Sequence, residues 1–131
     1  MESQLCSAVT GREVDEEGLY QIGERVFNLQ RAVVTREGRR GREDDALEEF
    51  NFTAPLKSDF NNPDCLAPGK DGEVISRKGM VVDRQEFEKM KDEYYAIRGW
   101  DVETGLQKRK PLEDLGLEDV AEELEGRGLL A

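Results

Sequence analysis

The sequence predicts an all-α fold, an irregular multihelical domain with a long central loop and one segment that could form a small β-hairpin. Two long segments repeat apolar residues about every 3.6 positions, as buried helices do. Residues 39–72 between them lack a sustained period and contain prolines at 55, 63 and 68. We therefore expect residues 1–131 to form one helical domain that includes an irregular loop region at 39–82.

A first helix is predicted over residues 2–10, ended by Gly11, because glycine favours the left-handed conformation that closes many helices. A helix that starts at the first residue suggests that an upstream segment is missing. The next helix should begin after Asp15, a good N-cap, and end near Arg36 and Gly38. Its expected packed face consists of Leu19, Ile22, Val26, Leu29 and Val33.

Two glycines, Gly18 and Gly23, lie inside this long helix. Each costs about 1 kcal/mol relative to alanine, which close packing against another element would explain. A second strong helix should start at Asp83, where Asp83 and Glu86 form a capping box, and stop at Arg98–Gly99. Its expected face consists of Phe87, Met90, Tyr94 and Ile97, and Trp100 should fold back onto Tyr95.

Weaker signals fill the remainder. A turn of helix is predicted near 44–50 with Asp44 as its cap, and a hairpin over 73–82 with Lys78–Gly79 at its turn. A short turn should run from Pro111 to Leu115, followed by an acidic helix over 118–125. The central loop could anchor on another surface or on this domain's own core, and its candidate anchors are Phe50, Phe52, Leu56 and Phe60.

Composition excludes several classes of protein. The net charge of −11 argues against a binder of nucleic-acid phosphates, which needs a basic surface. A charged fraction of 37%, against a usual value of about 25%, implies a small core or apolar surface that faces a missing partner. One basic cluster is either a solvated loop or a docking patch for an acidic partner: Arg36, Arg39, Arg40 and Arg42. No membrane-spanning run is present, and two cysteines without a disulfide framework favour the cytoplasm.

No catalytic, cofactor-binding or metal-binding residue is predicted. The chain has no histidine, and Cys6 and Cys65 are too far apart in sequence to suggest a zinc site. Acidic pairs such as Asp44–Asp45 and Glu48–Glu49 are expected to be solvated surface in so acidic a chain. Tyr94, Tyr95 and Trp100 could line a pocket, but their helical and capping positions favour the core.

Several short motifs in order resemble one family. They are AVTG at 8–11, GER with NLQR at 23–31, REG at 36–38, DD-x-L at 44–47, EYYAIRGWD at 93–101, glycine at 105 and LEDLGL at 112–117. Together they resemble the C-terminal end of the aldehyde ferredoxin oxidoreductases, which are tungsten enzymes. The sequence departs from the family in DDALEE, where relatives tend to have DD-x-LP, and residues 51–72 are hard to align.

The resemblance implies a C-terminal helical domain of a larger cytoplasmic oxidoreductase. The whole enzyme would oxidise aldehydes to carboxylic acids, with electrons leaving through a tungsten bis-pterin and a [4Fe–4S] cluster to ferredoxin. This segment would wall the cofactor and substrate cavity and be inactive alone. Its partners would be the N-terminal and middle domains of the same polypeptide, ferredoxin and, for a homodimer, a second copy. Relatives that act on other substrates, including acyl thioesters, share the domain.

The resemblance assigns no residue of the cluster or pterin motifs to this chain. MESQLC ends in Leu-Cys, as a family cluster motif does, but it lacks that motif's aspartate and glycine. We therefore expect Cys6 to be a buried helical cysteine rather than a ligand. The alternative to an enzyme segment is a stand-alone acidic helical interaction protein or subunit, which would dock basic partners or a separate catalytic subunit.

Overall fold

The computed structural model describes residues 1–131 and confirms a mostly helical, irregular fold. It contains six α-helices and one antiparallel pair of strands. In chain order these are α1 (Glu2–Thr10), α2 (Glu16–Arg36), α3 (Phe50–Thr53), β1 (Leu66–Pro68), β2 (Val74–Ser76), α4 (Arg84–Ile97), α5 (Arg109–Asp114) and α6 (Glu118–Gly126). None of the helices is both long and apolar enough to cross a lipid bilayer.

The chain divides into two compact units. The larger unit combines residues 1–45 with residues 94–131, and the smaller unit is residues 46–93. The larger unit therefore brings the two ends of the chain together. It contains most of the motifs on which the family resemblance depends.

The ends of α1 and α2 confirm the capping predictions. Gly11 closes α1 with φ of 68°. The side chain of Asp15 accepts a hydrogen bond from the Gly18 amide at 2.8 Å, which satisfies one of the free N–H groups at the start of α2. The helix ends at Arg36, and Gly38 follows it with φ of 110°.

The predicted packed face of α2 is wrong. The helix buries Asn28, Arg31, Ala32 and Thr35, whereas its apolar residues are largely exposed: Ile22 46%, Val26 50%, Leu29 41% and Val33 42%. The spacing identifies an apolar face, but only tertiary contacts decide which face the chain itself covers. Polar partners from distant segments cover the other face.

The expected packing on the glycines of α2 is also not found within the chain. A Cβ on Gly18 would approach Asp15 and Val14 of its own helix cap, and a Cβ on Gly23 would meet no atom within 4 Å. Gly18 therefore accommodates the cap, while the bare backbone at Gly23 faces open space.

A small apolar core joins α2 to the C-terminal helices. Its fully buried members are Ala32, Leu112, Leu117, Ala121 and Leu124, with Leu115, Val120, Leu129 and Leu130 packed around them. The predicted turn after Pro111 lies within α5, and the predicted acidic helix is α6. These helices pack against α2 through Ala32, the one buried apolar residue of that helix.

The start and end of α4 agree with the prediction. The Asp83 carboxylate accepts hydrogen bonds from the amides of Gln85 and Glu86. Gly99 adopts φ of 68°, and the Trp100 amide donates to the Tyr95 carbonyl at 2.9 Å, so the chain folds back on the helix. The predicted packed face of α4 is mostly exposed, however, with Met90 at 57% and Ile97 at 83%.

Two predictions for the central region are wrong. Strand β2 pairs with β1, Leu66 opposite Ser76, and not with residues 80–82. A turn does form at Gly79, where the Met80 amide donates to Arg77, but the chain then bonds to Leu56 and not to β2. The helical turn predicted at 44–50 is not found there: a short 3-10 turn, Gly41–Glu43, ends just before Asp44, and α3 begins only at Phe50. The Asp44 carboxylate is bound to Arg40 and caps no helix N-terminus.

The predicted aromatic anchors of the central loop behave differently from one another. Phe52 packs edge to face on Phe87, with ring centroids 5.9 Å apart, inside the smaller unit. Phe50 is 63% exposed and Phe60 99% exposed. Leu56 is 43% exposed, and its backbone exchanges hydrogen bonds with Gly79 and Met80. Phe52 therefore packs within its own unit, whereas the side chains of Phe50 and Phe60 are largely exposed to solvent.

Candidate functional site

The centre of the larger unit is an ion pair between Arg31 of α2 and Asp45. The two guanidinium Nη atoms donate to the two carboxylate oxygens at 3.0 and 2.6 Å, and both side chains are mostly buried, 9% and 17% exposed. Arg31 also donates to the carbonyl of Gly105 at 3.0 Å. Such a bidentate pair fixes orientation as well as charge, so it holds α2, residue 45 and the loop at 105 in one geometry.

Two further donors complete the shell of Asp45. The Tyr95 hydroxyl donates to it at 2.7 Å, and the Arg39 Nε donates at 3.0 Å. Burial alone would raise the pKa of Asp45, but the hydrogen bonds from Arg31, Tyr95 and Arg39 outweigh burial and hold that pKa well below its ordinary value. Burial and the hydrogen bond to the Asp45 carboxylate raise the pKa of Tyr95. Asp45 is therefore a buried anion, not the solvated surface residue that the sequence suggested.

A second set of hydrogen bonds surrounds Asn28. Its side-chain oxygen accepts from the Trp100 indole N–H and from the Gln107 amide group, both at 2.9 Å. Its Nδ2 donates to the carbonyl of Glu24 at 3.0 Å. The side chains of Asn28, Trp100 and Gln107 are buried. Hydrogen bonds between them are stronger than in water because the dielectric constant of the protein interior is low.

Stacked rings and cations connect the two sets of hydrogen bonds. The rings of Phe27 and Trp100 lie nearly parallel, with centroids 6.1 Å apart. The Arg31 guanidinium lies 4.6 Å from the Trp100 ring centre, and that of Arg98 lies 4.5 Å from the Phe27 ring centre. Arg98 also forms an ion pair with Glu24. Tyr95 and Trp100 are thus core residues, as the sequence indicated, whereas Tyr94, which was also expected in the core, is 37% exposed.

The arginines of the basic cluster lie at a solvated surface, with Arg36 41% and Arg40 67% exposed, and each also has a partner within its own unit. Arg39 binds Asp45, and Arg40 binds Asp44. Arg42 donates to the Val102 carbonyl at 2.8 Å. Arg36 pairs with Glu37 at 3.3 Å. These arginines therefore form ion pairs and hydrogen bonds within their own unit.

The two cysteines lie in different units. Cys6, in α1, is half-buried, although the sequence suggested a buried cysteine, and Cys65 is buried at the start of β1 with φ of 53°. No three histidine, cysteine, aspartate or glutamate side chains are grouped so that they could hold a metal ion. Among the predicted acidic pairs, Glu49 is bound by Arg84 within the smaller unit.

One side of α2 forms an apolar surface that the chain covers only in part, since Leu29 and Val33 line a small cavity with Val120 and Leu124 of α6. We define the α2 apolar face as Ile22, Val26, Leu29 and Val33, which recur at steps of four, three and four. Each is between 41% and 50% exposed. A helix normally buries such a stripe, so this surface can bind another apolar surface.

A groove runs between the start of α1 and the first half of α2. We call it the α1–α2 groove. Its lining is Met1, Glu2, Ser3, Glu16, Leu19, Tyr20, Gly23, Glu24, Phe27 and Arg98, and its volume is about 560 Å³. The lining includes Gly23, which has no side chain, and the ion pair between Glu24 and Arg98.

The arrangement can bind and position other parts of a protein, but it offers no exposed nucleophile paired with a general base. The sequence analysis identified Asn28 and Arg31 only as members of a family motif, and it did not identify Gln107. The signal that marked most of the network was the ordered run of motifs: NLQR supplies Asn28 and Arg31, and DD supplies Asp45. Gln107 lies outside those motifs and had no signal.

The comparison with known families agrees with this reading of the motifs. A family model described as aldehyde ferredoxin oxidoreductase, domains 2 & 3, matches residues 1–117. The match covers all of α1 and α2 and both groups of residues in the buried network. The chain therefore belongs to the aldehyde ferredoxin oxidoreductase family.

Proposed function

We propose that this chain is the C-terminal part of an enzyme that oxidises an aldehyde to a carboxylic acid, with water as the source of the added oxygen atom. Two electrons and two protons are released for each aldehyde. The complete enzyme passes the electrons through a tungsten bis-pterin and a [4Fe–4S] cluster to ferredoxin. This segment walls the cofactor and substrate cavity from one side and is inactive alone.

The α2 apolar face carries the proposal. A self-contained domain covers the apolar stripe of its longest helix, whereas this chain covers the opposite, polar side with the Asn28 and Arg31 networks. The matched family model bears the numbers of domains 2 and 3, which points to at least one further domain in such proteins. That remaining part of the polypeptide is the partner that we propose for the face.

The chain's own residues do not fit the iron–sulfur cluster. A [4Fe–4S] cluster takes four cysteine thiolates, and the two cysteines here lie in separate units. We therefore place the cluster ligands in the N-terminal and middle domains. No residue of this chain is assigned to the pterin, and no step of the reaction is assigned to its side chains.

The contribution of this domain is to enclose the reaction centre of the complete enzyme. Packing domains around a reaction centre excludes water and strengthens the electrostatic interactions within it. The Asp45 and Asn28 networks make the wall rigid because each fixes α2 to segments that are far away in sequence. A cytoplasmic location, electron transfer to ferredoxin and a homodimeric assembly belong to the same proposal.

Metal analysis of two samples tests the proposal. The first is the natural protein captured from source cells with an antibody against this chain, and the second is the 131-residue chain alone. In the captured natural protein we expect tungsten, about four irons per chain and aldehyde-dependent reduction of a viologen dye. We expect none of these in the isolated 131-residue chain.

Three results would contradict the proposal. Four irons per chain in the isolated 131 residues would show that Cys6 or Cys65 takes part in a cluster. A captured protein without tungsten and without aldehyde oxidation would instead favour the stand-alone interaction protein. A separate metal-containing subunit in the captured sample would also favour that alternative.

A further inference from the structure

We propose that a single internal water molecule is bound between the guanidinium of Arg31 and the side-chain amide of Gln107, where α2 meets the loop of residues 100–107. The water accepts a hydrogen bond from Arg31 Nε and donates one to Gln107 Oε1. It therefore belongs to the buried network of the larger unit. This inference does not depend on the proposed function, since it concerns only contacts within this chain.

The two atoms that would bind the water are buried and have no partner in the protein. Gln107 is 2% exposed, and the side chain of Arg31 is 9% exposed. Within these side chains, Gln107 Oε1 and Arg31 Nε form no hydrogen bond with any protein atom. The large majority of buried polar side-chain atoms in folded proteins are bonded either to the protein or to ordered water. Each of these two atoms therefore requires a partner from outside the chain.

The neighbours of Gln107 determine which end of its amide is the unpaired one. The Trp100 indole can only donate, so the side-chain atom of Asn28 that it contacts at 2.9 Å is the oxygen. Gln107 contacts this same oxygen at 2.9 Å and the backbone carbonyl of Asn28 at 3.1 Å. Both of those atoms are acceptors, so the Gln107 atom that faces them is the donor Nε2. Its Oε1 is therefore an acceptor that still needs a donor.

Arg31 Nε is the complementary donor at the same interface. The Nε of a guanidinium carries a hydrogen and cannot accept. Asn28 and Arg31 are three residues apart in α2, so they lie on one side of the helix. Arg31 donates to the carbonyl of Gly105 at 3.0 Å, two residues before Gln107, and its guanidinium lies 4.6 Å from the Trp100 ring centre. The contact between α2 and this loop thus contains one unpaired donor and one unpaired acceptor.

Water has the chemistry that this pair requires. Its oxygen accepts a hydrogen bond and its hydrogens donate, whereas an anion only accepts and a metal cation would be repelled by the guanidinium. Internal water typically makes about two to four hydrogen bonds, and Arg31 Nε and Gln107 Oε1 supply two. The remaining unpaired buried atom, Arg98 Nε, belongs to a guanidinium beside the rings of Phe27 and Tyr94. It is not part of the proposed site.

A crystal structure of the 131-residue chain that resolves ordered water tests the inference directly. We expect one water molecule within about 3.2 Å of both Gln107 Oε1 and Arg31 Nε. Oxygen-17 relaxation dispersion is a second measurement, since it counts the water molecules that exchange slowly with the solvent. Gln107→Met removes the acceptor and should lower that count by one. Gln30→Met, which alters an exposed glutamine of α2, is the matched control and should leave the count unchanged.

Several outcomes would overturn the inference. They are a crystal structure in which neither atom binds water, one in which each atom binds a separate water, and one in which Gln107 Oε1 is bonded directly to a protein donor. An unchanged count of slow waters in folded Gln107→Met would also overturn it. If that variant does not fold, the crystal structure of the wild type decides. All of these outcomes leave the proposed aldehyde oxidation intact, because the metal content and activity of the natural protein test it separately.

Discussion

Trp100 donates its indole N–H to the side-chain oxygen of Asn28 at 2.9 Å, and the two residues are 72 positions apart in the chain. Gln107 donates to the same oxygen. This contact joins the NLQR motif to the RGWD motif, and the Arg31–Asp45 pair joins the first of these to the DD segment. Residues of the family motifs therefore contact one another and form part of the internal frame of the domain.

Replacing Trp100 by phenylalanine should destabilise the domain. The change removes the hydrogen bond to Asn28 and leaves a cavity at a position that is 3% exposed. We expect a loss of about 2 kcal/mol in the free energy of unfolding, measured by urea titration with circular dichroism. Tyr94→Phe is the control, because it alters a ring 37% exposed and should have little effect. Equal losses in the two variants would contradict the role given to Trp100.

Replacing Asp45 by asparagine should have a larger effect. Arg31, with 9% exposure, would be left in the interior without its counter-ion. Removing one partner of a buried pair costs about 3–5 kcal/mol, and we expect about 3 kcal/mol here because Asp45 is not fully enclosed. Asp44→Asn removes the neighbouring carboxylate, which pairs with the exposed Arg40, and should lower the melting temperature much less. A larger loss of stability in Asp44→Asn than in Asp45→Asn would show that the buried Arg31–Asp45 pair is not the main restraint.

The stabilising effect of Asp45 should depend on pH. Its pKa is lower in the folded than in the unfolded state, so its contribution is complete above the unfolded value of about 3.9 and is lost as the pH falls. We expect the difference in unfolding free energy between the wild type and Asp45→Asn to be constant from about pH 7 to 5 and to shrink below about pH 4. Urea titrations of both proteins at each pH give this difference. A difference that stays constant through the acid range would contradict the assignment.

The α2 apolar face should tolerate charge in the isolated chain but not in the complete enzyme. Val26→Lys replaces a side chain that is 50% exposed here, so the 131-residue chain should change by no more than about 0.5 kcal/mol. The same substitution in the complete enzyme should lower its melting temperature, because it would bury an unpaired charge. Ala32→Lys, on the buried side of the same helix, should destabilise both proteins. A complete enzyme that tolerates Val26→Lys would show that this face is not an interface.

The sequence predicted the ends of the helices well because those signals are local. Asp15, Asp83 and Gly99 each act through backbone groups within five residues of their own positions. The small hairpin exists, but its position was predicted wrongly for the opposite reason, since β2 had two possible partners at similar distance along the chain. Its true partner, β1, begins beside the buried Cys65. Because β1 contains a proline, the sequence predicted a loop there and not a strand.

Burial could not be predicted in the same way. The period of α2 identifies its apolar residues, but it does not indicate that this chain lacks the surface that covers them. Nor does the sequence show that Arg31 is buried, because its partners Asp45 and Gly105 come from separate segments. The family resemblance identified the motifs that contain these residues, but it did not indicate that the motifs contact one another.

The size of the natural gene product tests most directly whether this chain is part of a larger enzyme. It can be measured by immunoblot of the source cells with an antibody raised against the 131 residues. We expect a single band several times larger than 14.9 kDa, since the proposed cluster and cofactor domains must precede this segment. A band at 14.9 kDa would contradict the proposal and identify an independent protein that acts by binding.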